Sequence, residues 1–141
     1  MINIRQAHKD DLDKVVQFYH SQGYKGTEEM DGSEFTLIAE DDHRFIGVVR
    51  LVIENGIKVM RGMFIDESYR RQGIGKKFIE LMNDELNGSE CYCICKSHLE
   101  DFVSGAGFTK IDPADAPAHL FDRFNKYMEN RTFGEMIMTK R

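Results

Sequence analysis

The sequence predicts one domain over residues 1–141, of α/β (α+β) class, with a mixed, mostly antiparallel central sheet flanked by helices. Three strand-like runs follow one another with connections of three residues, DDH and ENG, which force an antiparallel meander. Helical patterns and strands surround these runs, and no Pro/Gly/Ser-rich linker or repeat divides the chain. A chain of 141 residues is long enough to bury one substantial core.

The first half of the chain predicts a strand, a helix and the meander. Residues 2–6 form the first strand, and an amphipathic helix with acidic residues at its start follows and ends near Gly23. Residues 24–33 show no clear period and predict a loop, with or without a short helix. The apolar residues at helical spacing are Leu12, Val15, Val16 and Tyr19. The three strands of the meander are FTLIAE, RFIGVVRLVI and IKVMRGMFI.

The second half alternates helices and strands. A helix that begins near Ile74 ends at Asn87-Gly88, a pair typical of helix ends. The strand CYCIC follows, then a helix over residues 98–104 and the pair Gly107-Phe108. A last helix is predicted from Pro117 to about residue 130, before the strand FGEMIMTK. That final strand can pair within its own sheet or with a second chain, so we expect a monomer or a homodimer.

Composition excludes several partners. The net charge of −5 argues against nucleic acid, because phosphate backbones attract basic surfaces. No apolar run approaches the ~18 residues of a membrane span. The N-terminal MINIRQA lacks the apolar core of a signal peptide. We therefore expect a cytoplasmic protein that binds neither nucleic acid nor membrane.

The three cysteines Cys91, Cys93 and Cys95 share one strand. Period-two spacing places all three on one face, where neighbours form disulfides with difficulty. No second Cys/His cluster completes a zinc site, so no metal is expected. The favoured interpretation is small buried side chains, and the alternative is a reactive or metal-binding role.

The nonapeptide YRRQGIGKK, Tyr69–Lys77, places Gly73 and Gly75 where a strand must turn into a helix. Glycine permits a tight turn and leaves backbone amides uncovered. Exposed amides at a helix N-terminus, with four nearby cations, form an anion site. The segment therefore predicts a phosphate-binding turn, and the alternative is a plain helix-capping turn. Dinucleotide and Walker A motifs do not fit, because Phe78 and Lys77 stand where those motifs need other residues.

This pattern resembles the GNAT superfamily of acyl-CoA N-acyltransferases. The glycine motif follows the strand ending in FIDESY, and the later SHLEDFVSGAGF carries the Gly-Phe pair found in that family. The resemblance implies an N-acetyltransferase that uses acetyl-CoA, with the turn amides around the pyrophosphate and the preceding strand along the pantetheine. It assigns coenzyme A binding to Met63, Ile65, Arg70, Arg71, Gln72, Gly73, Ile74, Gly75 and Lys76.

The catalytic acid departs from the family pattern. The family often places a Phe-Tyr pair five residues before the Gly-Phe pair, where this chain has Phe102-Val103 and so a valine in place of the tyrosine. His98 is the candidate catalytic residue, because imidazole titrates in the useful range, and Tyr127 is a second candidate. No glutamate base lies on IKVMRGMFI. Three alternatives follow: another residue substitutes, water protonates the thiolate, or the protein binds acyl-CoA without efficient catalysis.

Two arginines are candidates for acceptor binding. The Asn55-Gly56 hairpin pairs Arg50 with Arg61, and like charges on one face repel each other. An internal carboxylate, Glu34 or Glu40, would resolve the conflict, as would a substrate carboxylate; a different register is the third alternative. Arg61 lies two residues before Met63, so we expect its side chain beside the acetyl group.

Seven acids and no base lie between residues 28 and 42. A solvated loop and hairpin tip explain such a run, and a wall facing a cationic amine is the alternative. The acceptor is predicted to be the primary amine of a small molecule, a peptide or a protein. Its identity, and whether the acyl group is acetyl or longer, stay open.

Overall fold

The computed structural model of the protein describes residues 1–24, 27–96, 99–130 and 136–140. Short 3₁₀ helices within these ranges include Lys9–Asp11, Glu67–Tyr69 and Pro113–Asp115. The helices and strands are β1 (Ile2–Gln6), α1 (Leu12–Ser21), β2 (Phe35–Asp41), β3 (Arg44–Glu54), β4 (Ile57–Ile65), α2 (Ile74–Leu86), β5 (Cys91–Cys95), α3 (Glu100–Ser104), β6 (Thr109–Ile111), α4 (Ala118–Asn130) and β7 (Met136–Lys140).

The strands pair in the order β1-β2-β3-β4-β5-β7-β6. β1 with β2, β2 with β3, β5 with β7 and β6 with β7 are antiparallel. β4 and β5 are parallel and pair at Val59 and Tyr92. The predicted fold class, a mixed and mostly antiparallel sheet with helices, is confirmed.

Two-residue turns close both hairpins of the meander. Asp42 and His43 link β2 to β3 with φ of 49° and 71°, and Asn55 and Gly56 link β3 to β4 with φ of 52° and 78°. Positive φ at both central residues is the type I′ geometry that matches the twist of paired strands. The Asn-Gly signal therefore predicted its hairpin correctly.

The chain divides into two compact units, one of residues 1–53 and 60–82 and one of residues 54–59 and 83–141. One cluster of buried side chains in the first unit is formed by Val15, Phe18, Tyr19, Tyr24, Ile38 and Val48. One cluster in the second unit is formed by Val59, Tyr92, Leu120 and Ile137. That all 141 residues form one domain stays a prediction.

Most predicted boundaries lie within two residues of the observed ones. The exception is β6, which the sequence did not predict because three residues are too few to show a period. The predicted helix over 98–104 is observed as α3, starting at Glu100, and residues 97–98 and 133–135 lie outside the described residues. No helix within the described ranges combines the length and the apolar character needed to cross a membrane.

Candidate functional site

The segment between β4 and α2 is anchored to the end of its own strand. The Asp66 carboxylate caps the 3₁₀ helix by accepting a hydrogen bond from the Ser68 amide at 3.0 Å. Arg70 Nε then donates to the Ile65 carbonyl at 3.0 Å. The Arg70 side chain is thus directed back onto β4, which fixes where the glycine turn begins.

The turn itself has an alternating left-handed backbone. Arg71 has φ of 65° and Gly73 has φ of 82°, and α2 begins at the next residue, Ile74. Ile74 and Phe78 are both buried, and the Phe78 ring lies 3.4 Å from the position that a Cβ on Gly47 would occupy. This apolar packing holds the helix N-terminus in place.

The backbone amides of this turn are suited to an anion. The Lys77 amide donates to the Gly73 carbonyl at 3.0 Å and completes the first helical turn, so the amides before it have no acceptor within the helix. A Cβ at Gly73 would meet no atom within 4 Å, which leaves room for a ligand. Arg71 and Lys76 are exposed and add positive charge. Left-handed turns that lead into a helix bind phosphate in this way.

A glycine in a left-handed conformation interrupts β4. Gly62 has φ of 63°, and its carbonyl accepts a hydrogen bond from the Tyr19 hydroxyl at 2.8 Å. Side chains two residues apart share a face only where the backbone between them is extended. The left-handed Gly62 lies between Arg61 and Met63, so their spacing no longer places both side chains on one face. The expectation that Arg61 lies beside the acetyl group loses that support and stays a prediction. A glycine inside a strand-like run was the available signal for this irregularity.

Both arginines of the hairpin reach one hydroxyl group. Tyr24 Oη accepts from Arg50 Nη2 at 3.2 Å and from Arg61 Nη2 at 3.4 Å. The two side chains are therefore on the same side of the meander, as opposed pairing requires. Glu34 Oε1 lies 3.7 Å from Arg50 Nη1, which provides the internal carboxylate that was the first alternative for this pair. Sequence reasoning did not find Tyr24, because it lies in a loop without a periodic pattern.

Arg50 is the buried partner of the Arg50–Glu34 pair, Glu34 is partly buried, and the pair is incompletely hydrogen-bonded. Arg50 is only 3% exposed, while Arg61 is half-buried. Among the described residues, neither Arg50 Nε nor Glu34 Oε2 has a hydrogen-bond partner. The Arg50 guanidinium also lies over the Tyr19 ring, 5.4 Å from its centroid. A buried cation that makes so few hydrogen bonds depends on the charge of Glu34.

Several acids of the 28–42 run have contacts within their own unit. Glu40 accepts from Arg5 Nε at 2.9 Å, and Asp31 accepts from the Ser33 amide at 2.9 Å. Asp41 accepts from the Tyr69 hydroxyl at 2.7 Å, and that bond lowers the pKa of the Asp41 carboxyl below its usual range. These local contacts agree with the interpretation of the run as a loop and hairpin tip.

Comparison with known protein families identifies the family in which this turn occurs. The acetyltransferase (GNAT) domain matches residues 8–121 of the chain. The chain belongs to the GNAT acetyltransferase family. The resemblance predicted from the glycine motif and the Gly-Phe pair is confirmed. No curated protein sequence matches the chain.

Solved structures give the same fold. A GNAT acetyltransferase from Staphylococcus aureus has a TM-score of 0.69 at 18% identity, over 99% of this chain and 98% of that one. A Mycobacterium tuberculosis protein in complex with coenzyme A has a TM-score of 0.68 at 17% identity, over 98% of each chain. N-acetylglutamate synthase from Neisseria gonorrhoeae, complexed with coenzyme A and N-acetyl-glutamate, has a TM-score of 0.70 at 17% identity. This chain covers 35% of the synthase and is itself covered in full.

Val103 stands where GNAT enzymes often have a tyrosine. Its side chain lies on α3 and is 4% exposed, and an aliphatic group cannot donate a proton. Tyr127, the second candidate, is half-buried on α4. His98 lies outside the described residues, so its catalytic assignment stays a prediction.

The cysteines of β5 share a face, as period-two spacing predicts. A hydrogen bond between the thiols of Cys93 and Cys95 raises the pKa of Cys93, which is also desolvated, and lowers the pKa of Cys95. All three cysteines are free, and Cys91 and Cys93 are buried. Within the described part of the chain, no group of three or more His, Cys, Asp or Glu side chains is arranged to hold a metal ion.

Proposed function

We propose that the protein is an acetyl-CoA-dependent N-acetyltransferase that acetylates a primary amine of a small molecule, a peptide or a protein by direct attack in a ternary complex. The observation that carries this proposal is the left-handed turn of residues 70–76, open at Gly73, in a chain of the GNAT family. The Neisseria and Mycobacterium proteins described above were crystallised with coenzyme A, which supports the same ligand here.

Each part of the turn has a proposed role in binding coenzyme A. The amides of residues 71–76 surround the pyrophosphate, and Lys76 contributes charge at the helix N-terminus. The Ile65 carbonyl oxygen already accepts a hydrogen bond from Arg70 Nε, so the N–H of Ile65 is the group that we assign to the pantetheine. The Met63 N–H is assigned to the acyl carbonyl, where it stabilises the oxyanion of the tetrahedral intermediate.

Acetyl transfer requires a neutral amine held against the thioester. The ammonium form of the acceptor loses one proton, the lone pair of the resulting neutral amine attacks the acyl carbon, and the intermediate expels the coenzyme A thiolate. The nitrogen gives up its second proton as the neutral amide forms, and the thiolate takes up a proton. A thiolate is a weakly basic leaving group, so its protonation contributes modestly, and much of the acceleration comes from holding the reactants together. His98 is the proposed proton-transfer residue, and with Val103 in the usual acid position, water is the alternative.

A non-catalytic acyl-CoA-binding or regulatory module is the second candidate, and the buried Val103 favours it. Both candidates predict stabilisation by acetyl-CoA, so a thermal-shift titration tests only binding. Coenzyme A release across a broad panel of amines separates them. Turnover of any amine favours the enzyme, and loss of that turnover in His98→Ala favours His98 as the proton-transfer residue. No turnover across the panel favours the module.

For the acceptor, we propose that the Arg50/Arg61 pair receives a substrate carboxylate, with Arg61 making the contact because Arg61 is half-buried, whereas Arg50 is 3% exposed and pairs with Glu34. Arg61→Gln should raise the KM of a carboxylate-bearing amine by about 10-fold, since a hydrogen bond to a charged group contributes about 1.5–3 kcal/mol. The KM for acetyl-CoA should not change. Initial-rate kinetics with both substrates varied measure the two constants.

The matched control is Arg44→Gln, which removes an arginine that is 66% exposed and pairs with Asp66 at the surface. It should leave the acceptor KM unchanged. An amine without a carboxylate should be insensitive to Arg61→Gln. Equal acceptor kinetics for Arg61→Gln and the wild type would show that no carboxylate binds there.

A further inference from the structure

We propose that Tyr19 is a positioning residue for acyl transfer: by holding the Gly62 carbonyl, it directs the Met63 N–H of β4 toward the acyl group. This inference rests on the proposed function, because it concerns the strand segment to which the oxyanion contact is assigned. It starts from a contact between residues 43 positions apart, the hydrogen bond from the Tyr19 hydroxyl to the Gly62 carbonyl at 2.8 Å.

Gly62 is shaped to receive this hydroxyl group. Its φ of 63° is a left-handed conformation that side chains other than glycine rarely adopt. A Cβ added at this position would lie 2.6 Å from Tyr19 Oη and 3.1 Å from Tyr19 Cζ. Both the backbone conformation and the missing side chain therefore serve the same contact.

The geometry of the peptide bond carries the effect to Met63. No peptide bond among the described residues is cis, so the Gly62 carbonyl and the Met63 N–H belong to one planar trans unit and point in opposite directions. Fixing the carbonyl toward Tyr19 therefore fixes the N–H on the other side of the strand. A freely tilting peptide would lose the preorganisation on which oxyanion stabilisation depends.

Tyr19 is itself held rigidly. It is fully buried, its ring lies 5.0 Å from the Tyr24 ring and 6.0 Å from the Phe64 ring, and the Arg50 guanidinium covers it. Burial raises the pKa of Tyr19 well above its usual range and outweighs the opposing charge of Arg50. Loss of the hydroxyl proton is therefore disfavoured, which keeps the hydroxyl a hydrogen-bond donor to the Gly62 carbonyl.

The test is Tyr19→Phe, which keeps the ring and removes only the hydroxyl group. We expect kcat per folded molecule to fall about 10-fold, because loss of a whole oxyanion donor costs about 10²–10³-fold and here the donor is only misdirected. The KM for acetyl-CoA and the Kd for coenzyme A should stay within about 2-fold of the wild type, since the turn is untouched. Val15→Ala is the matched control, because it destabilises the same core and keeps the hydrogen bond from the Tyr19 hydroxyl to the Gly62 carbonyl, and its kcat should be unchanged.

A second variant tests the pair as a unit. Gly62→Ala should also lower kcat, and in Tyr19→Phe/Gly62→Ala the loss should be smaller than the product of the two single losses, because the 2.6 Å clash is removed. If the wild type turns over, either of two results would overturn the positioning role of Tyr19. One is an unchanged kcat in Tyr19→Phe, and the other is a loss of kcat in the double variant equal to the product of the two single losses. No turnover by the wild type would instead overturn the proposed function and this inference with it.

Discussion

Gly73→Glu is expected to raise the KM for acetyl-CoA by about 100-fold or more, equivalent to about 2.7 kcal/mol of binding free energy. The substitution places a carboxylate where the pyrophosphate is proposed to bind, and it also strains a backbone with φ of 82°. The introduced carboxylate and the pyrophosphate are both anions, so they compete for the same unpaired amides at the helix N-terminus. Coenzyme A titration by calorimetry measures the loss directly.

The structure offers a matched control at the other end of the same helix. Gly88 has φ of 83°, and, as at Gly73, a Cβ there would meet no atom within 4 Å. Gly88→Glu therefore has a similar backbone strain and adds the same charge. Its affinity for coenzyme A should match the wild type. If both variants lost affinity for coenzyme A equally, backbone strain at the ends of α2 rather than an anion site would explain the result.

Glu34→Gln is expected to lower the free energy of unfolding by about 3 kcal/mol, at the low end of the range for broken buried ion pairs. Arg50 is 3% exposed and its Nε has no hydrogen-bond partner among the described residues, so without Glu34 it would be a buried cation with little compensation. Urea unfolding followed by circular dichroism measures the change. Adding Arg50→Met to Glu34→Gln should recover much of the loss, because the uncompensated charge is removed.

Glu40→Gln is the matched control for this effect. Glu40 Oε1 lies 2.9 Å from Arg5 Nε, closer than Glu34 is to Arg50, but the Arg5 side chain is 29% exposed. Arg5 also keeps its pair with Asp11 at 2.8 Å. The expected loss is below about 1 kcal/mol, as for solvated ion pairs. Equal losses in Glu34→Gln and Glu40→Gln would contradict the claim that burial makes Arg50 depend on its partner.

Local rules predicted the elements that frame the turn. The glycines of residues 69–77 and the Asn55-Gly56 pair act through their own backbone conformation, so their structural consequences can be predicted without knowing what lies nearby. The boundaries of α2 and the type I′ turn accordingly agree with the sequence. The family resemblance depended on the same local motifs, and it was confirmed.

Long-range contacts limited what the sequence could predict of the site. Glu34 and Glu40 were equal candidates to balance the two arginines, and only the path of the loop before β2 places Glu34 beside Arg50. The Tyr19–Gly62 contact joins residues of α1 and β4, and no spacing rule connects them. The helical period predicted that Tyr19 faces the core, but not the acceptor of its hydroxyl group.

Transfer of the acetyl group itself tests the central claim most directly. The protein is incubated with acetyl-CoA labelled with carbon-13 in the acetyl group and with the amine that gives the highest coenzyme A release, and the products are identified by mass spectrometry. The proposed function predicts the label in an amide of that amine, at a rate that Gly73→Glu reduces at subsaturating acetyl-CoA and Gly88→Glu does not. Label found only in free acetate, or retained in acetyl-CoA with every amine tested, would contradict it.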